Sequence, residues 1–177
     1  MLTLTPITQS RNRMERKQIV LDIVENNPGI RFNEIMRISN IRNGTLSHYV
    51  KKLLDENSIK LERSPRVTRL YPAGIGKEEA KICKYLTMPS QKMIILFLLK
   101  KENATSVEIR EFVKKSPSVI SVNLNELFRA KIINKKYDIP SNKYSLKNAE
   151  QIRGILAEYY PNLLDRLTSN TIELLNF

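Results

Sequence analysis

The sequence has very little cysteine and histidine, with Cys83 and His48 as the only residues of these two types. A single cysteine cannot form a disulfide within the chain, which favours a reducing compartment. One cysteine and one histidine cannot supply the ligand set of a Cys/His zinc site, so we expect no bound metal. We interpret Cys83 as a small apolar residue of a helix rather than as an oxidation sensor.

Long hydrophobic runs are also missing. The longest run, MIILFLL from Met93 to Leu99, is too short to span a bilayer and indicates a buried helix. The first residues, MLTLTPITQSRNR, lack the apolar core of a signal peptide. We therefore expect a cytoplasmic protein without a membrane partner.

No set of residues has the spacing of a catalytic or cofactor site. The stretch GIGKEE, from Gly74 to Glu79, contains the glycine-lysine pair of a phosphate-binding loop. However, Tyr71 occupies the position of that loop's first glycine, and Glu78 occupies its final Ser/Thr position. A dinucleotide-binding fingerprint is absent as well. We therefore expect a protein that is not an enzyme and that uses no cofactor.

Basic residues, by contrast, are abundant. Lysine and arginine number 30 against 18 aspartate and glutamate, which gives a formal net charge of +12. This excess favours a polyanionic partner, either nucleic acid or an acidic membrane surface. The 177 residues suffice for one ordinary domain or two small ones, and the hydrophobic fraction of 41% suffices for packed cores.

The first half of the chain has a recognisable order of elements. We predict a helix over 14–26, a strand over 30–32, a helix over 33–39 capped by Asn33, a helix over 43–57 and a hairpin over 59–71. The residues predicted to point inward from the first two helices are Ile19, Val20, Ile23, Val24, Ile35 and Ile38. Helix, strand, helix, turn, helix and hairpin is the layout of a winged helix-turn-helix.

The same layout recurs with an offset of 74 residues, which places Glu34-Ile35 on Glu108-Ile109. The apolar residues Leu46, Val50, Leu53 and Leu54 fall on Ile120, Leu124, Leu127 and Phe128. The second copy is predicted as helices over 91–101, 107–115 capped by Ser106, and 116–131, then a hairpin with its turn over 138–142. Matching core positions with differing surface positions indicate a duplicated fold.

The predicted fold is therefore mainly α with small β wings: two tandem winged helix-turn-helix domains followed by C-terminal helices. We expect a flexible basic arm over 1–13, the first domain over 14–75, a linker helix over 76–89 and the second domain over 90–147. Residues 148–177 are predicted as two helices that meet at Pro161. Their apolar stripes either pack on their own chain or form a dimer interface.

The segment NGTLSHYVKKL carries the residues that we expect to read DNA. At 100° per residue its apolar positions share one face, and the opposite face holds small, polar and basic side chains. In a helix-turn-helix the third helix enters the major groove, where such groups bond base edges and phosphates. The ordinary alternative is a solvated polar face. The predicted contacts from this helix are Arg42, Asn43, Gly44, Thr45, Ser47, His48, Lys51 and Lys52.

The first hairpin supplies further candidates for DNA contact. Arg63, Arg66 and Arg69 lie in or beside its turn, and a wing tip lies along the DNA backbone or in the minor groove, where arginine is favoured. The alternative is a solvated hairpin that carries charge. Arg11 and Arg13 in the predicted arm are candidates for secondary contacts.

At these residues the sequence resembles a known family. The start NPGI at 27–30, the helix GTLSHYVKKL at 44–53 and the wing ending RLYP at 69–72 are similar to archaeal transcriptional regulators with two winged helix-turn-helix domains in tandem. The resemblance is close over 15–75 and weak beyond. It implies DNA binding and transcriptional control.

The second copy departs from this pattern. With the same offset, Val119, Val122, Asn125 and Glu126 replace Thr45, His48, Lys51 and Lys52. Phosphates repel a carboxylate, and exposed valines favour a protein contact. Only Lys135, Lys136 and Lys143 in the second hairpin suit a secondary contact with DNA. We expect the second domain to serve mainly in assembly.

These observations predict a sequence-specific regulator that binds double-stranded DNA, is associated with the nucleoid and acts as a homodimer. One alternative is a tandem winged-helix scaffold for protein interactions, with a protein partner bound through the second domain. Another is a nonspecific architectural chromatin protein, which would bind DNA in a salt-dependent way without sequence preference.

Overall fold

The computed structural model describes residues 6–139 and 141–168, with the backbone alone for residues 6–14, Arg166 and Thr168. The chain divides into two compact units, up to Ala80 and from Lys81 onward. Each unit combines helices with a small antiparallel sheet, which confirms the predicted fold class. The boundary between the units falls inside the predicted linker helix.

The first unit follows the predicted order of elements. It contains α1 (Pro6–Glu25), β1 (Ile30–Arg31), α2 (Phe32–Ser39), α3 (Asn43–Asp55), β2 (Ile59–Ser64) and β3 (Val67–Pro72), and then α4 (Lys77–Leu86) begins. In the sheet, β3 lies between β1 and β2 and is antiparallel to both. Leu70 of β3 is paired with Ile30 on one side and with Leu61 on the other.

Helix α1 begins at Pro6, so part of the predicted flexible arm is helical. Proline at the first helical position costs no hydrogen bond, and the glutamine, arginine, methionine and glutamate residues that follow are good helix formers. The helix ends where Asn27, Pro28 and Gly29 resist its continuation, as predicted. Gly29 has a φ of 83°, and its N–H donates to the Leu70 carbonyl over 2.8 Å.

The core of the first unit is built from one apolar stripe on each helix and from the inner face of the sheet. Its fully buried members include Val20, Val24, Ile35, Leu46, Leu53 and Leu70. Two predicted core residues are not buried, since Ile38 is 62% exposed and Ile19 is exposed as well. Ile38 lies about 60° around α2 from Ile35, outside the part of the helix surface that packs on the core.

Helix α2 begins at Phe32, one residue earlier than predicted, and its N-cap is Arg31 rather than Asn33. The Glu34 carboxylate accepts a hydrogen bond from the Arg31 N–H over 3.0 Å and satisfies one of the donors that a helix start leaves open. The helix ends at Asn40, whose left-handed backbone begins the turn into α3.

The second unit has the same order of elements up to its hairpin. After the end of α4 it contains α5 (Pro89–Lys101), β4 (Asn103–Thr105), α6 (Ser106–Val113), α7 (Pro117–Arg129), β5 (Ile133–Lys136), β6 (Lys143–Leu146), α8 (Ala149–Tyr159) and α9 (Pro161–Thr168). Strand β6 lies between β4 and β5, as β3 lies between β1 and β2. The short strand β4 was not predicted.

The caps of the second unit explain where its helices start. Thr105 rather than the predicted Ser106 caps α6, because Thr105 Oγ1 accepts from the Glu108 N–H and Glu108 accepts from the Thr105 N–H over 2.8 Å. Ser116 caps α7 and Pro117 follows at the first helical position, as predicted.

Three of the four matched core residues of α7, namely Ile120, Leu124 and Leu127, are buried. Phe128 is 47% exposed, so its match to Leu54 does not mark a core position. Cys83 is fully buried on α4, in agreement with its interpretation as an apolar helix residue.

The C-terminal helices belong to the second unit and meet at Pro161, as predicted. The apolar stripe of α8, which consists of Ile152, Ile155 and Leu156, is buried within the chain itself. Arg153 of α8 also donates to the Leu99 carbonyl over 3.2 Å. Residues 169–177, which hold part of the second predicted stripe, lie outside the described residues.

Within residues 6–139 and 141–168, no single helix is both long and apolar enough to cross a membrane. Helices α4 and α5 are long and apolar enough only when they are taken together, and the chain bends by 108° between them.

Candidate nucleic-acid interface

Helix α3 separates its side chains into a buried and an open face. Leu46, Tyr49, Val50 and Leu53 are buried against the core. The opposite face exposes the predicted contact residues Arg42, Asn43, Gly44, Ser47, His48, Lys51 and Lys52, and Thr45 is half-buried at its edge. The structure therefore brings these eight residues to one surface, at and after the start of the helix.

Few contacts join the side chains on the open face to one another or to the rest of the first unit. Ser47 Oγ donates to Asn43 Oδ1 over 3.3 Å, one turn apart, and both side chains stay exposed. The His48 ring packs edge-on against the Tyr49 ring, with 5.6 Å between their centroids. Among the described residues, Lys51 and Lys52 have no ion-pair partner. Most of the polar atoms on this face are thus available to a partner.

Gly44 lies in the first turn of α3, and a Cβ atom at this position would meet no atom within 4 Å. The packing of the described residues therefore does not require a glycine here. The absence of a side chain keeps the helix backbone accessible from outside, which is a geometry that suits the close approach of another molecule.

The wing is the hairpin of β2 and β3, closed by a two-residue turn at Pro65 and Arg66. Ser64 Oγ donates to the Val67 carbonyl over 3.0 Å and closes the turn. Arg63 and Arg66 are exposed, and neither forms an ion pair with another described residue. Their guanidinium groups are thus free to contact an anion in solution.

Among the predicted contacts of the first unit whose side chains are described, Arg69 is the one that the structure contradicts, because it is buried. It is 4% exposed, and its Nη1 donates to the Gly29 carbonyl over 2.8 Å. Burial lowers the pKa of its guanidinium below the usual value. Arg69 is buried because it lies in the central strand of the sheet, between Arg31 of β1 and Glu62 of β2. Arg69 therefore joins the sheet to the turn after α1, and its guanidinium group is buried rather than exposed on the wing.

A groove of about 1010 Å³ runs between α2 and the tip of the wing. Arg31, Arg37 and Arg66 line it, and Glu34 is its only acidic lining residue. The Nε atom of Arg31 is buried there without a hydrogen-bond partner among the described residues. Arg37 is exposed at the rim and lies 4.0 Å from Glu34. Three guanidinium groups against one carboxylate make this groove, called the wing groove below, suited to an anion.

The sequence reasoning missed Arg31 and Arg37, because it followed the third helix and the wing alone. Strand β1 carries Arg31 and the last turn of α2 carries Arg37, and only the fold brings them beside Arg66. Arg31 lies in the predicted strand over 30–32, and its position two residues before the predicted helix was the one available signal.

The corresponding surface of the second unit has different chemistry. Val119 and Val122 are exposed on α7, as the sequence predicted, beside Asn125 and Glu126. Gln91 of α5 donates a hydrogen bond to the Glu126 carboxylate. The outer face of α7 is thus apolar and acidic where that of α3 is basic.

The second hairpin holds the remaining candidates for DNA contact. The Lys135 ammonium lies 5.1 Å from the centre of the Tyr137 ring, and Lys136 is exposed. Lys143 Nζ lies 2.8 Å from Asp138 Oδ2. This ion pair raises the pKa of Lys143 and lowers that of Asp138. Arg11 and Arg13 lie on α1, and their side chains are outside the described ones.

Among the described residues, no cluster of histidine, cysteine, aspartate and glutamate has the geometry to hold a metal ion.

Comparison with known proteins gives a match for the first unit. Residues 14–82 match a family model described as an N-terminal HTH domain. No curated protein matches the chain. Among solved structures, the chain is similar to HlyU from Vibrio cholerae N16961, with 23% identity and a TM-score of 0.42 over 54% of this chain and 100% of that chain. It is also similar to a chain of an Nse1-Nse3-Nse4 complex, with 13% identity and a TM-score of 0.29 over 95% of this chain and 100% of that chain.

The family match contains all elements of the first unit from the middle of α1 to the start of α4. Within it, α2, the turn at Asn40 and α3 are the helix-turn-helix, and the β2–β3 hairpin follows as the wing. Residues 14–82 therefore form a helix-turn-helix domain.

Proposed function

We propose that the protein is a transcriptional regulator that reads double-stranded DNA with α3. One observation carries this proposal: α3, the second helix of a helix-turn-helix, exposes His48 and Lys52, and half-buried Thr45 lies at the edge of the same face. In this motif the corresponding helix enters the major groove, where hydroxyl, imidazole and ammonium groups bond base edges.

The wing and the wing groove would supply the contacts that carry no sequence information. Arg66 at the tip reaches the backbone or the minor groove, where guanidinium groups are favoured. Arg31 and Arg37 bind phosphates on the strand that lies in the wing groove. Affinity from these residues is independent of sequence and falls as salt rises.

We further propose that the protein acts as a homodimer. A single recognition helix contacts only a few base pairs, and a second copy doubles the length of the site and adds its binding energy. The two half-sites would then form a palindrome with centres about 34–36 Å apart, or a multiple of that distance.

The first test is to retain genomic DNA fragments on the purified full chain at moderate salt and to sequence them. The proposal expects a short enriched motif. Retention without a motif would contradict sequence-specific reading and support an architectural role. No retention would contradict DNA binding altogether.

Point variants then test the assigned roles. Lys52→Ala and His48→Ala should relax the base preference at one position each, at a cost of about 1–3 kcal/mol in discrimination. Arg66→Ala should weaken binding to all sequences alike and reduce the salt slope by about one. Arg16→Ala is the matched control, because Arg16 is an exposed arginine on α1, outside the proposed interface. Equal effects of Arg66→Ala and Arg16→Ala would contradict the docking.

The second unit favours a separate role in protein contacts, through Val119 and Val122 on α7. Exposed apolar side chains of this kind mark surfaces that another protein covers. The double variant Val119→Ser and Val122→Ser should shift the protein toward the monomer in analytical ultracentrifugation if this surface joins two copies. An unchanged sedimentation coefficient would show that α7 is not part of a dimer interface.

A further inference from the structure

The loop that follows β5 presents two large apolar side chains to the outside of the second unit. Tyr137 is 81% exposed and Ile139 is 96% exposed, and both lie at the end of the second hairpin. We call Tyr137 and Ile139 the second wing tip. The first wing has a two-residue turn that presents Arg66 instead. The two hairpins occupy the same place in their sheets and offer opposite chemistry at their ends.

The strands and turns that carry this tip are strongly basic. Residues 131–147 contain five lysines and a single acidic residue, Asp138. Lys143 compensates that carboxylate through the 2.8 Å ion pair. The ammonium group of Lys135 lies over the Tyr137 ring at 5.1 Å, and Lys136 is exposed beside it. An uncharged apolar tip is therefore surrounded by cations, with its one carboxylate compensated.

We propose that the second wing tip is a wedge for the minor groove of duplex DNA. In this arrangement Ile139, with the Tyr137 ring beside it, enters between two base pairs and unstacks them. Lys135 and Lys136 bind the phosphates on either side. Proteins that bend DNA combine these two features, namely an apolar side chain between base steps and cations along the adjacent backbone. The duplex then kinks by about 20–90° toward the major groove.

The rest of the second unit favours the hairpin as its DNA contact. Helix α7 exposes Val122 and Glu126, so the helix that reads DNA in the first unit offers an apolar and acidic surface here. Lys135 and Lys136 of the hairpin flank the tip and are cations suited to phosphates. A wedge requires no base-specific hydrogen bond, which agrees with the large apolar surface of Ile139 at the tip.

The inference rests on the proposed action on DNA, and it adds bending to base reading. Its test uses the full chain and a duplex of about 30 base pairs with a fluorescent donor and acceptor at its ends, so that energy transfer reports the bend. A second duplex carries a central mismatch, which has already lost part of its stacking. The test variant is Tyr137→Ser with Ile139→Ser. The control is Val107→Ser, which removes an exposed apolar side chain from α6, outside every surface assigned to a partner.

The wild type and the control should raise energy transfer on binding and should prefer the mismatched duplex by about tenfold, which corresponds to about 1.4 kcal/mol. The tip variant should bind without the rise in transfer and without the preference. A melting temperature equal to that of the wild type verifies its fold. If the tip variant bends the duplex and prefers the mismatched duplex as the wild type does, the proposed wedge is wrong. This result would not affect the proposal that α3 reads the bases.

Two further results would overturn the inference in different ways. If no variant and no wild-type protein binds either duplex, both the wedge and the proposed function fail. The same proteins are also mixed with vesicles of phosphatidylserine and phosphatidylcholine, because an acidic lipid surface attracts a basic hairpin with an apolar tip. Vesicle binding that depends on Tyr137 and Ile139, together with a bend that does not, would assign the tip to a membrane instead.

Discussion

Arg66 and Arg69 lie three residues apart in one hairpin and are expected to respond to alanine in opposite ways. Arg66 is exposed at the tip, whereas Arg69 is buried and donates to the Gly29 carbonyl over 2.8 Å. Arg69→Ala leaves that carbonyl without its buried donor, which costs about 1–3 kcal/mol. For a domain of this size each kcal/mol lowers the melting temperature by about 4–8 °C. We therefore expect a large loss of stability from Arg69→Ala and none from Arg66→Ala.

The assay measures both properties for both variants. Circular dichroism gives the melting temperature, and fluorescence anisotropy with a labelled duplex gives the affinity at several salt concentrations. Arg66→Ala should reduce the salt slope by about one and leave the melting temperature unchanged. Arg69→Ala should lower the melting temperature and, below it, keep the slope of the wild type. A reduced slope with an unchanged melting temperature for Arg69→Ala would refute its assignment to the interior of the sheet.

Three further predictions follow from single positions. Gly44→Ala should raise the free energy of unfolding by about 0.4–1 kcal/mol, because the added Cβ meets no atom within 4 Å. The same variant should weaken DNA binding, and tighter or unchanged binding would contradict a close approach of DNA to α3. Ser116→Ala should destabilise the second unit by about 0.5–2 kcal/mol through loss of the α7 cap, measurable by urea unfolding, and an unchanged midpoint would contradict the cap. The hydrogen bond from Lys101, followed by those from Thr105, lowers the pKa of Glu108 to about 2. The contribution of Glu108 to the free energy of unfolding is therefore fully present above its ordinary pKa of 4.5 and is lost as the pH falls toward 2. Stability of Glu108→Gln should depend less on pH than that of the wild type in this window, and parallel curves would contradict the prediction.

Much of the first unit could be predicted from local pattern. Apolar periodicity located α3, and the punctuation by Asn27, Pro28 and Gly29 located the end of α1. The turn at Pro65 and the alternation around it located the wing. Such signals lie within a few residues of the feature that they predict, and the physics behind them is local helix and turn geometry.

The errors about the candidate site arose where distant parts of the chain meet. Arg69 was predicted to contact DNA because its partner, the Gly29 carbonyl, is 40 residues away in the sequence. Arg31 and Arg37 were overlooked for the same reason, since only the fold places them beside Arg66. Ile38 satisfies helical periodicity, but whether a neighbour covers it depends on packing that a pattern does not contain.

The central claim is that α3 reads base sequence through its outward face. The most direct measurement compares the wild type with His48→Ala on a library of duplexes randomised across the enriched motif. Sequencing of the bound fraction then gives the base preference at every position. We predict that His48→Ala loses the preference at one position and keeps it at the others. An unchanged preference at every position would contradict the reading of DNA by His48, and the same result for Lys52→Ala would contradict reading by α3.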